Sequence, residues 1–202
     1  MAEVGNIAAV VLAAGRSTRM GANKLLADLG GKPMVRFAVE AALGSAASPV
    51  LAVTGHQAAE VRRALAGLHV GFVHNRGYAE GMSTSLEAAI GALPPAVAGA
   101  LVLLGDMPQI TPVHLDQLIV AFRDQGGAII VPTHAGRRGN PVLWPRAFFA
   151  HISRLDGDAG AKSLLTAHAS RVCEVDLGTD AIFLDVDTAE ALAQMRARAP
   201  RA

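Results

Sequence analysis

The fold of this chain is decided by the stretch Val10-Val11-Leu12-Ala13-Ala14-Gly15-Arg16-Ser17-Thr18-Arg19-Met20-Gly21-Ala22-Asn23-Lys24. It continues a buried-strand pattern that begins at Ile7 and ends at Ala13, after which a turn of small residues follows. In open α/β sheets ligands bind in the loops after parallel strands, and small residues let a phosphate approach the backbone amides. We therefore predict that Gly15 opens an anion-binding loop.

Cations follow this turn within nine residues, namely Arg16, Arg19 and Lys24. Lysine presents a point charge to phosphate, and arginine a fork that binds two oxygens. The pattern G-x-x-x-R-M-G-x-x-K is neither a P-loop nor a dinucleotide fingerprint. Surface cations are common, but the position after a buried strand favours Arg19 and Lys24 as ligands of a polyphosphate. Arg16 could also face solvent.

The composition excludes several classes of protein. The chain has 202 residues, a net charge of +1, 51% hydrophobic residues and 4% aromatic residues. Such a small net charge attracts neither nucleic acid nor a membrane, and aromatic residues are too few for a base-stacking platform. Apolar runs are shorter than the roughly 18 residues that a membrane span needs. With a single cysteine and no signal-peptide pattern, we expect a cytoplasmic protein.

Apolar strand patterns alternate with helical patterns along the whole chain. Strands are predicted at 7–13, 50–54, 70–73, 100–104, 128–131, 141–144, 171–175 and 182–184. Helices are predicted at 33–43, 57–66, 83–92, 112–124, 145–152, 160–169 and 188–198, with Ser83 as an N-cap. This alternation predicts one α/β domain over 1–202 with a mostly parallel sheet and a hairpin inserted near 132–144.

Asp106 is the first candidate metal ligand, in the run Gly105-Asp106-Met107-Pro108 that follows a buried strand. If that strand neighbours the first one, Asp106 lies beside the Gly15 loop. A carboxylate next to triphosphate oxygens can hold Mg²⁺, which bridges phosphates and stabilises charge. An aspartate that only caps the turn before Pro108 is the alternative. The nearby cations favour metal binding.

A second acidic run, Asp185-Val186-Asp187-Thr188, precedes the last helix. In an extended segment Asp185 and Asp187 point to one face and could complete the shell of Mg²⁺ or Mn²⁺. They could instead cap the helix. We expect at least one of them to be a ligand, and favour Asp185.

Three further polar turns could contact ligands; capping is the alternative for the first, where we favour ligand contact, and turn chemistry alone is favoured for the other two. They are the runs at 81–86, 139–142 and 157–162. Arg137, Arg138 and Lys162 could receive an anionic second substrate.

Together these segments resemble the molybdenum cofactor cytidylyltransferases, within the molybdopterin nucleotidyltransferases, from Val10 to about Gln194. The resemblance implies a three-layer α/β/α sandwich with a mixed, mainly parallel sheet, a Rossmann-type fold like that of nucleotide-diphospho-sugar transferases. The N-terminal half would hold nucleotide, and about 105–190 the acceptor. Ala14 and Asn23 look like the cytidylyl enzymes and favour CTP over GTP.

Site residues follow from the same resemblance. The implied catalytic residues are Arg19, Lys24 and Asp106, and the implied metal ligands are Asp106, Asp185 and Asp187. The implied binding residues are Leu12, Ala13, Ala14, Gly15, Arg16, Ser83, Ser85, Asn140, Asp158 and Lys162.

The implied reaction is attack of the terminal phosphate of Mo-molybdopterin on the α-phosphorus of CTP, with release of pyrophosphate. The product would be the molybdopterin cytosine dinucleotide cofactor, delivered by transient docking to a molybdenum hydroxylase. Two alternatives remain open. One is cytidylyl transfer to another acceptor, such as a sugar or polyol phosphate. The other is a carrier that binds the mature cofactor for molybdoenzymes.

Overall fold

The computed structural model describes residues 5–17, 23–155, 157, 161–186 and 189–198. Its strands are β1 (Ile7–Ala13), β2 (Val50–Thr54), β3 (Gly71–His74), β4 (Gly99–Leu104), β5 (Ile129–His134), β6 (Arg137–Arg138), β7 (Val142–Pro145) and β8 (Val172–Asp176). Its α-helices are α1 (Met34–Leu43), α2 (Ala58–Ala64), α3 (Met82–Gly91), α4 (Pro112–Asp124), α5 (Phe149–Ile152), α6 (Lys162–Ala167) and α7 (Ala189–Arg198).

All eight strands form one mixed sheet. The strand order is β3-β2-β1-β4-β7-β5-β6, with β8 also paired to β5. β1 runs parallel to β2 and β4, β2 to β3, and β5 to β8, whereas β7 runs antiparallel to both β4 and β5. Leu12 pairs with Leu104, so the loops after β1 and β4 leave the same edge of the sheet. The predicted mainly parallel sheet is confirmed.

Helices cover both faces of the sheet. Ile7, Ala9 and Val11 of β1 pack in one core with residues of α1 and α4. Ala8 packs on the opposite face in a core that includes residues of α3 and α5. Strands buried on both faces read as continuous apolar runs, which is why β1 lacks polar alternation. The predicted three-layer α/β/α sandwich is confirmed.

The start of α4 shows how the sequence sets a helix boundary. The Thr111 side chain accepts a hydrogen bond from the His114 backbone N–H at 3.4 Å. The Thr111 backbone N–H donates to His114 Nδ1 at 3.3 Å. Pro112 lies within this reciprocal capping box, at the first helical position, where its missing N–H costs nothing. The predicted bounds 112–124 are confirmed.

Two local predictions are wrong. Ser83 is not an N-cap, because α3 begins one residue earlier at Met82, after Gly81 with φ 125° and no side-chain cap. The predicted strand at 182–184 is instead a 3₁₀ helix over Asp180–Phe183. There the Thr179 side chain accepts from the Ala181 N–H and caps a tight turn.

The predicted hairpin near 132–144 is confirmed. β5 and β6 pair antiparallel, with His134 opposite Arg137. The two residues between them, Ala135 and Gly136, both have positive φ, at 50° and 74°. This is the geometry of a tight two-residue hairpin turn. Among the described residues, no helix is long and apolar enough to cross a membrane.

Candidate active site

The loops after β1 and β4 meet through an ion pair. Lys24 Nζ lies 2.5 Å from Asp106 Oδ2, and the side chains are 14% and 13% exposed. The Lys24 backbone N–H also donates to Ser17 Oγ at 3.1 Å, which joins the two described ends of the cationic loop. The structure therefore brings together two of the predicted catalytic residues. The third, Arg19, lies outside the described residues, with the rest of 18–22.

The glycines at the two strand ends have different surroundings. A Cβ on Gly15 would meet no atom of the described residues within 4 Å, so the described part of the chain leaves the space beside this backbone open. A Cβ on Gly105 would lie 3.0 Å from the Leu12 carbonyl oxygen, because Gly105 packs against the end of β1. Arg16 is exposed beside Gly15. The open space thus lies on the β1 side, next to the cation.

The other predicted residues of the first loop contribute mainly backbone. Ala13 and Ala14 are 1% and 4% exposed, so their side chains belong to the core. The Ala14 carbonyl accepts from the His56 N–H at 3.1 Å. Leu12 lines a cavity beneath the loop.

Two buried polar atoms at this edge have no hydrogen-bond partner among the described residues. They are Asp106 Oδ1 and Asn23 Nδ2. Asn23 Oδ1 accepts from the Leu25 N–H at 3.1 Å and caps the short 3₁₀ turn Lys24–Leu26. An unpaired buried polar group is costly, so such groups call for an explanation. A carboxylate oxygen suits a cation, and an amide N–H suits an acceptor on a ligand.

The segment that carries Asp185 is tied at both ends. The Val186 N–H donates to the Asp106 carbonyl oxygen at 3.2 Å, and the Asn140 N–H donates to the Ile182 carbonyl oxygen at 3.0 Å. A Cβ on Gly139 would lie 2.5 Å from that Ile182 oxygen, so only glycine permits this approach. Asp185 is thereby held next to the Asp106 loop. Asp187 lies outside the described residues.

The described residues contain no cluster of three or more His, Cys, Asp or Glu side chains arranged for a metal ion. A cation at this edge would therefore draw on Asp106 and Asp185 and on oxygens from elsewhere. Carboxylates are the ligands that Mg²⁺ and Mn²⁺ prefer, and the unpartnered Asp106 Oδ1 is an available one.

A cavity of about 740 Å³ opens beside these residues. Apolar side chains form much of its wall, including Leu12, Met107 and Trp144. Five further predicted residues line it, namely Arg137, Arg138, Asn140, Lys162 and Asp185. Asp158, predicted with them, lies outside the described residues. A large cavity with an apolar wall and a few charged groups is typical of a small-molecule site.

Ser83 and Ser85 are buried in the first turn of α3, at 3% and 6% exposure. Ser85 Oγ accepts from Asn75 Nδ2 at 3.0 Å. The same amide group donates to Thr84 Oγ1 at 2.9 Å. Sequence reasoning missed Asn75, which follows β3 and is a polar residue at the same edge of the sheet. Contact of Ser83 and Ser85 with a nucleotide stays a prediction.

This chain combines an α/β sheet with a cationic loop and a carboxylate at the carboxyl edge of the sheet. That combination is typical of nucleotidyltransferase-like proteins. Residues 9–172 match the family described as "MobA-like NTP transferase domain". The chain belongs to this family. The predicted family is thus confirmed at the level of the NTP transferase domain.

The chain is also similar to curated relatives and to solved structures. The chain is 40% identical over 156 residues to the bifunctional protein GlmU of Pelobacter propionicus, covering 74% of this chain and 33% of that protein. It spans about a third or less of the GlmU proteins it matches. The structure of Rv0371c from Mycobacterium tuberculosis H37Rv superposes with a TM-score of 0.86 at 28% identity, over 96% of this chain and 100% of that one. Rv0371c in complex with manganese gives 0.80 at 27% identity, with the same coverage of both chains.

Proposed function

We propose that this chain transfers CMP from CTP to the terminal phosphate of Mo-molybdopterin and releases pyrophosphate. The observation that carries this proposal is the Lys24–Asp106 pair at the carboxyl edge of the sheet, beside a cavity large enough for an acceptor. In this assignment the loop 14–24 holds the nucleotide and the cavity holds the second substrate.

The triphosphate is bound by the first loop. The open backbone at Gly15 lets phosphate oxygens approach the amides, and Lys24 and Arg19 neutralise their charge. Lys24 pairs with Asp106. An incoming polyphosphate competes for the lysine and leaves the Asp106 carboxylate available to a cation.

Asp106 and Asp185 are the residues that would hold a divalent cation, Mg²⁺ or Mn²⁺. When bound there, the cation supplies charge neutralisation at phosphate oxygens. The manganese complex of Rv0371c supports the choice of a divalent metal, with Mg²⁺ as the physiological ion in this proposal.

The reaction itself needs no general base, because a phosphate monoester is already largely ionised near neutral pH. Catalysis then consists of alignment of the two phosphates and stabilisation of charge. Asn140 and Lys162 lie on the wall where the acceptor would bind. The product would pass to a molybdenum hydroxylase by transient docking.

A second candidate keeps nucleotidyl transfer but changes the acceptor to a sugar or polyol phosphate. The curated relatives reported above are GlmU proteins, whose name does not refer to molybdopterin, so another acceptor stays a candidate. A carrier without catalysis is disfavoured, because holding a finished cofactor does not require Lys24 and Asp106 side by side.

The test is pyrophosphate release with Mg²⁺ and Mo-molybdopterin, comparing CTP and GTP at equal concentration, with Asp106→Asn as the inactive control. Release with CTP, and little with GTP, supports the proposal. Binding of CTP without release on Mo-molybdopterin would discard the pterin acceptor and favour the second candidate. Equal release with both nucleotides would contradict the preference for CTP.

A further inference from the structure

Two adjacent arginines on β6 lie on the wall of the cavity but differ in their partners. Arg138 Nε donates to Glu174 Oε1 at 2.7 Å, so its charge is compensated by a carboxylate of β8. Arg137 has no carboxylate partner among the described residues. Its guanidinium lies 4.6 Å from the centroid of the Phe183 ring. Within the part of the chain that the structure describes, the cavity wall therefore carries one arginine paired with a carboxylate and one without such a partner.

Phe183 sits in a segment whose position is fixed from several sides. The Asn140 N–H holds the Ile182 carbonyl oxygen at 3.0 Å, which places the next residue against β6. The Phe183 ring also contacts the His134 ring, at 6.5 Å between centroids. Stacking on an aromatic face orients a guanidinium without consuming its N–H donors. Phe183 thus orients Arg137 and leaves its fork free to bind.

Backbone geometry fixes Arg137 from its other side. His134 and Arg137 are directly opposite each other across the tight turn at Ala135 and Gly136. A two-residue turn fixes the register of a hairpin, and hence the side to which each residue points. Arg137 is exposed to solvent on the cavity wall, so an anion can reach it.

We propose that Arg137 binds a phosphate group of the acceptor and that Phe183 is its positioning residue. The ligand class is a phosphate monoester whose body packs on the apolar wall around Trp144. This assignment rests on the proposed function for the use of the cavity as the acceptor site. The proposal adds the identity of the cation that binds the phosphate. It does not depend on the chemical identity of the rest of the acceptor.

The chain contains its own probe for this site. Trp144 is the single tryptophan and lines the cavity, so its fluorescence reports on ligands there. We would titrate the full chain with phenyl phosphate, and with benzyl alcohol as the uncharged control. Arg137→Ala should weaken phenyl phosphate binding by about tenfold or more, as expected for a hydrogen bond between charged groups. The matched variant Arg138→Ala should change binding by no more than about twofold, the scale of an exposed ion pair, because the Arg138 guanidinium already pairs with Glu174.

The role of Phe183 is tested by two substitutions, one that removes the aromatic ring and one that keeps it. Phe183→Leu keeps an apolar side chain but removes the ring, and should weaken binding about two- to fivefold, the size of an exposed cation–π contact. Phe183→Tyr keeps the ring, so its affinity for phenyl phosphate should equal that of the wild type. A merely structural role for Phe183 would show equal losses for both substitutions. Thermal unfolding of each variant shows that the fold is retained.

The outcomes separate the two proposals. Equal binding by wild type, Arg137→Ala and Arg138→Ala overturns the role of Arg137, and so does absence of phosphate-dependent binding in the wild type. If turnover with Mo-molybdopterin fails while phenyl phosphate binding still depends on Arg137, the proposed function falls and this assignment stands. If turnover occurs and Arg137→Ala leaves the KM for the acceptor unchanged, the assignment falls and the proposed function stands.

Discussion

The backbone N–H of Val186 donates to the carbonyl oxygen of Asp106 at 3.2 Å. This bond joins the segment that precedes the last helix to the loop after the central strand β4. It holds the backbone at Asp185 next to the Asp106 loop, whose carboxylate pairs with Lys24. Two acidic residues that are far apart in the chain are therefore held together at one edge of the sheet.

Asp106→Asn should reduce pyrophosphate release by roughly 100-fold or more, the usual cost of losing an electrostatic contact to the reacting groups. The substitution keeps the side chain's shape but removes the charge that holds a cation and pairs with Lys24. Steady-state turnover with CTP and Mg²⁺ measures it. The backbone contact to Val186 is unchanged, so thermal unfolding should remain cooperative. Wild-type turnover in this variant would rule out Asp106 as a metal ligand.

Gly139→Ala should destabilise the protein by about 1–3 kcal/mol, the usual cost of overpacking. The added Cβ would lie 2.5 Å from the Ile182 carbonyl oxygen, and the backbone must move. Chemical denaturation measures the free energy of unfolding. Gly91→Ala is the matched control, because its Cβ meets nothing within 4 Å and alanine is the better helix former. Equal effects of the two substitutions would show that the contact with Ile182 is unimportant.

The free energy of unfolding should decrease as the pH falls, because His114 becomes protonated. Burial lowers the pKa of His114 below its usual value of 6.5. The neutral ring accepts the Thr111 N–H, and protonation abolishes this acceptor. A lowered pKa in the folded state means that this contribution is present above the unfolded pKa, about 6.5. It is lost as the pH falls from there through the folded pKa.

His114→Gln tests this dependence. Glutamine at the same position can accept the Thr111 N–H but does not titrate in this range. Urea denaturation at several pH values between 5 and 8, a range chosen around the histidine pKa of about 6.5, should show a smaller slope in the variant. Identical slopes of unfolding free energy against pH in both proteins would exclude His114 as the source of the pH dependence.

Asn23→Asp should weaken CTP binding by about tenfold, the low end for a hydrogen bond to a charged group. The carboxylate retains the oxygen that caps the Leu25 N–H, so the loop keeps its shape. It lacks the buried Nδ2 donor, which has no partner among the described residues. Equilibrium binding of CTP with Mg²⁺ measures the loss. Asn23→Ala, which loses the cap as well, separates loop stability from ligand contact. Unchanged CTP affinity in Asn23→Asp would exclude the donor from the nucleotide site.

Much of the fold was predictable because its signals are local. β1, β2 and α4 have the predicted bounds, since continuous apolar runs and a capping threonine followed by proline mark their ends. The 3₁₀ helix at Asp180–Phe183 was not predictable from its apolar pattern. A short apolar run has the same periodicity in a strand as in a tight turn, and contacts with β5 and the core decide between them.

The candidate site divides in the same way. Lys24 and Asp106 were identifiable because each follows a buried strand, and parallel strands end at the same edge. Asn75 was missed, because its partners on α3 are supplied only by folding. The difference between Arg137 and Arg138 was equally hidden. Adjacent arginines are equivalent in a sequence until Phe183 and Glu174 reach them from other elements.

The sequence by itself determined the α/β class, the strand–loop–helix order and the residue types at the carboxyl edge, because these depend on periodicity and spacing along the chain. Tertiary structure decided which charges are paired, which polar atoms are left without partners, and how Asp185 comes to Asp106. Those properties depend on contacts between distant segments, such as Gly139 against Ile182, and no local pattern encodes their distances.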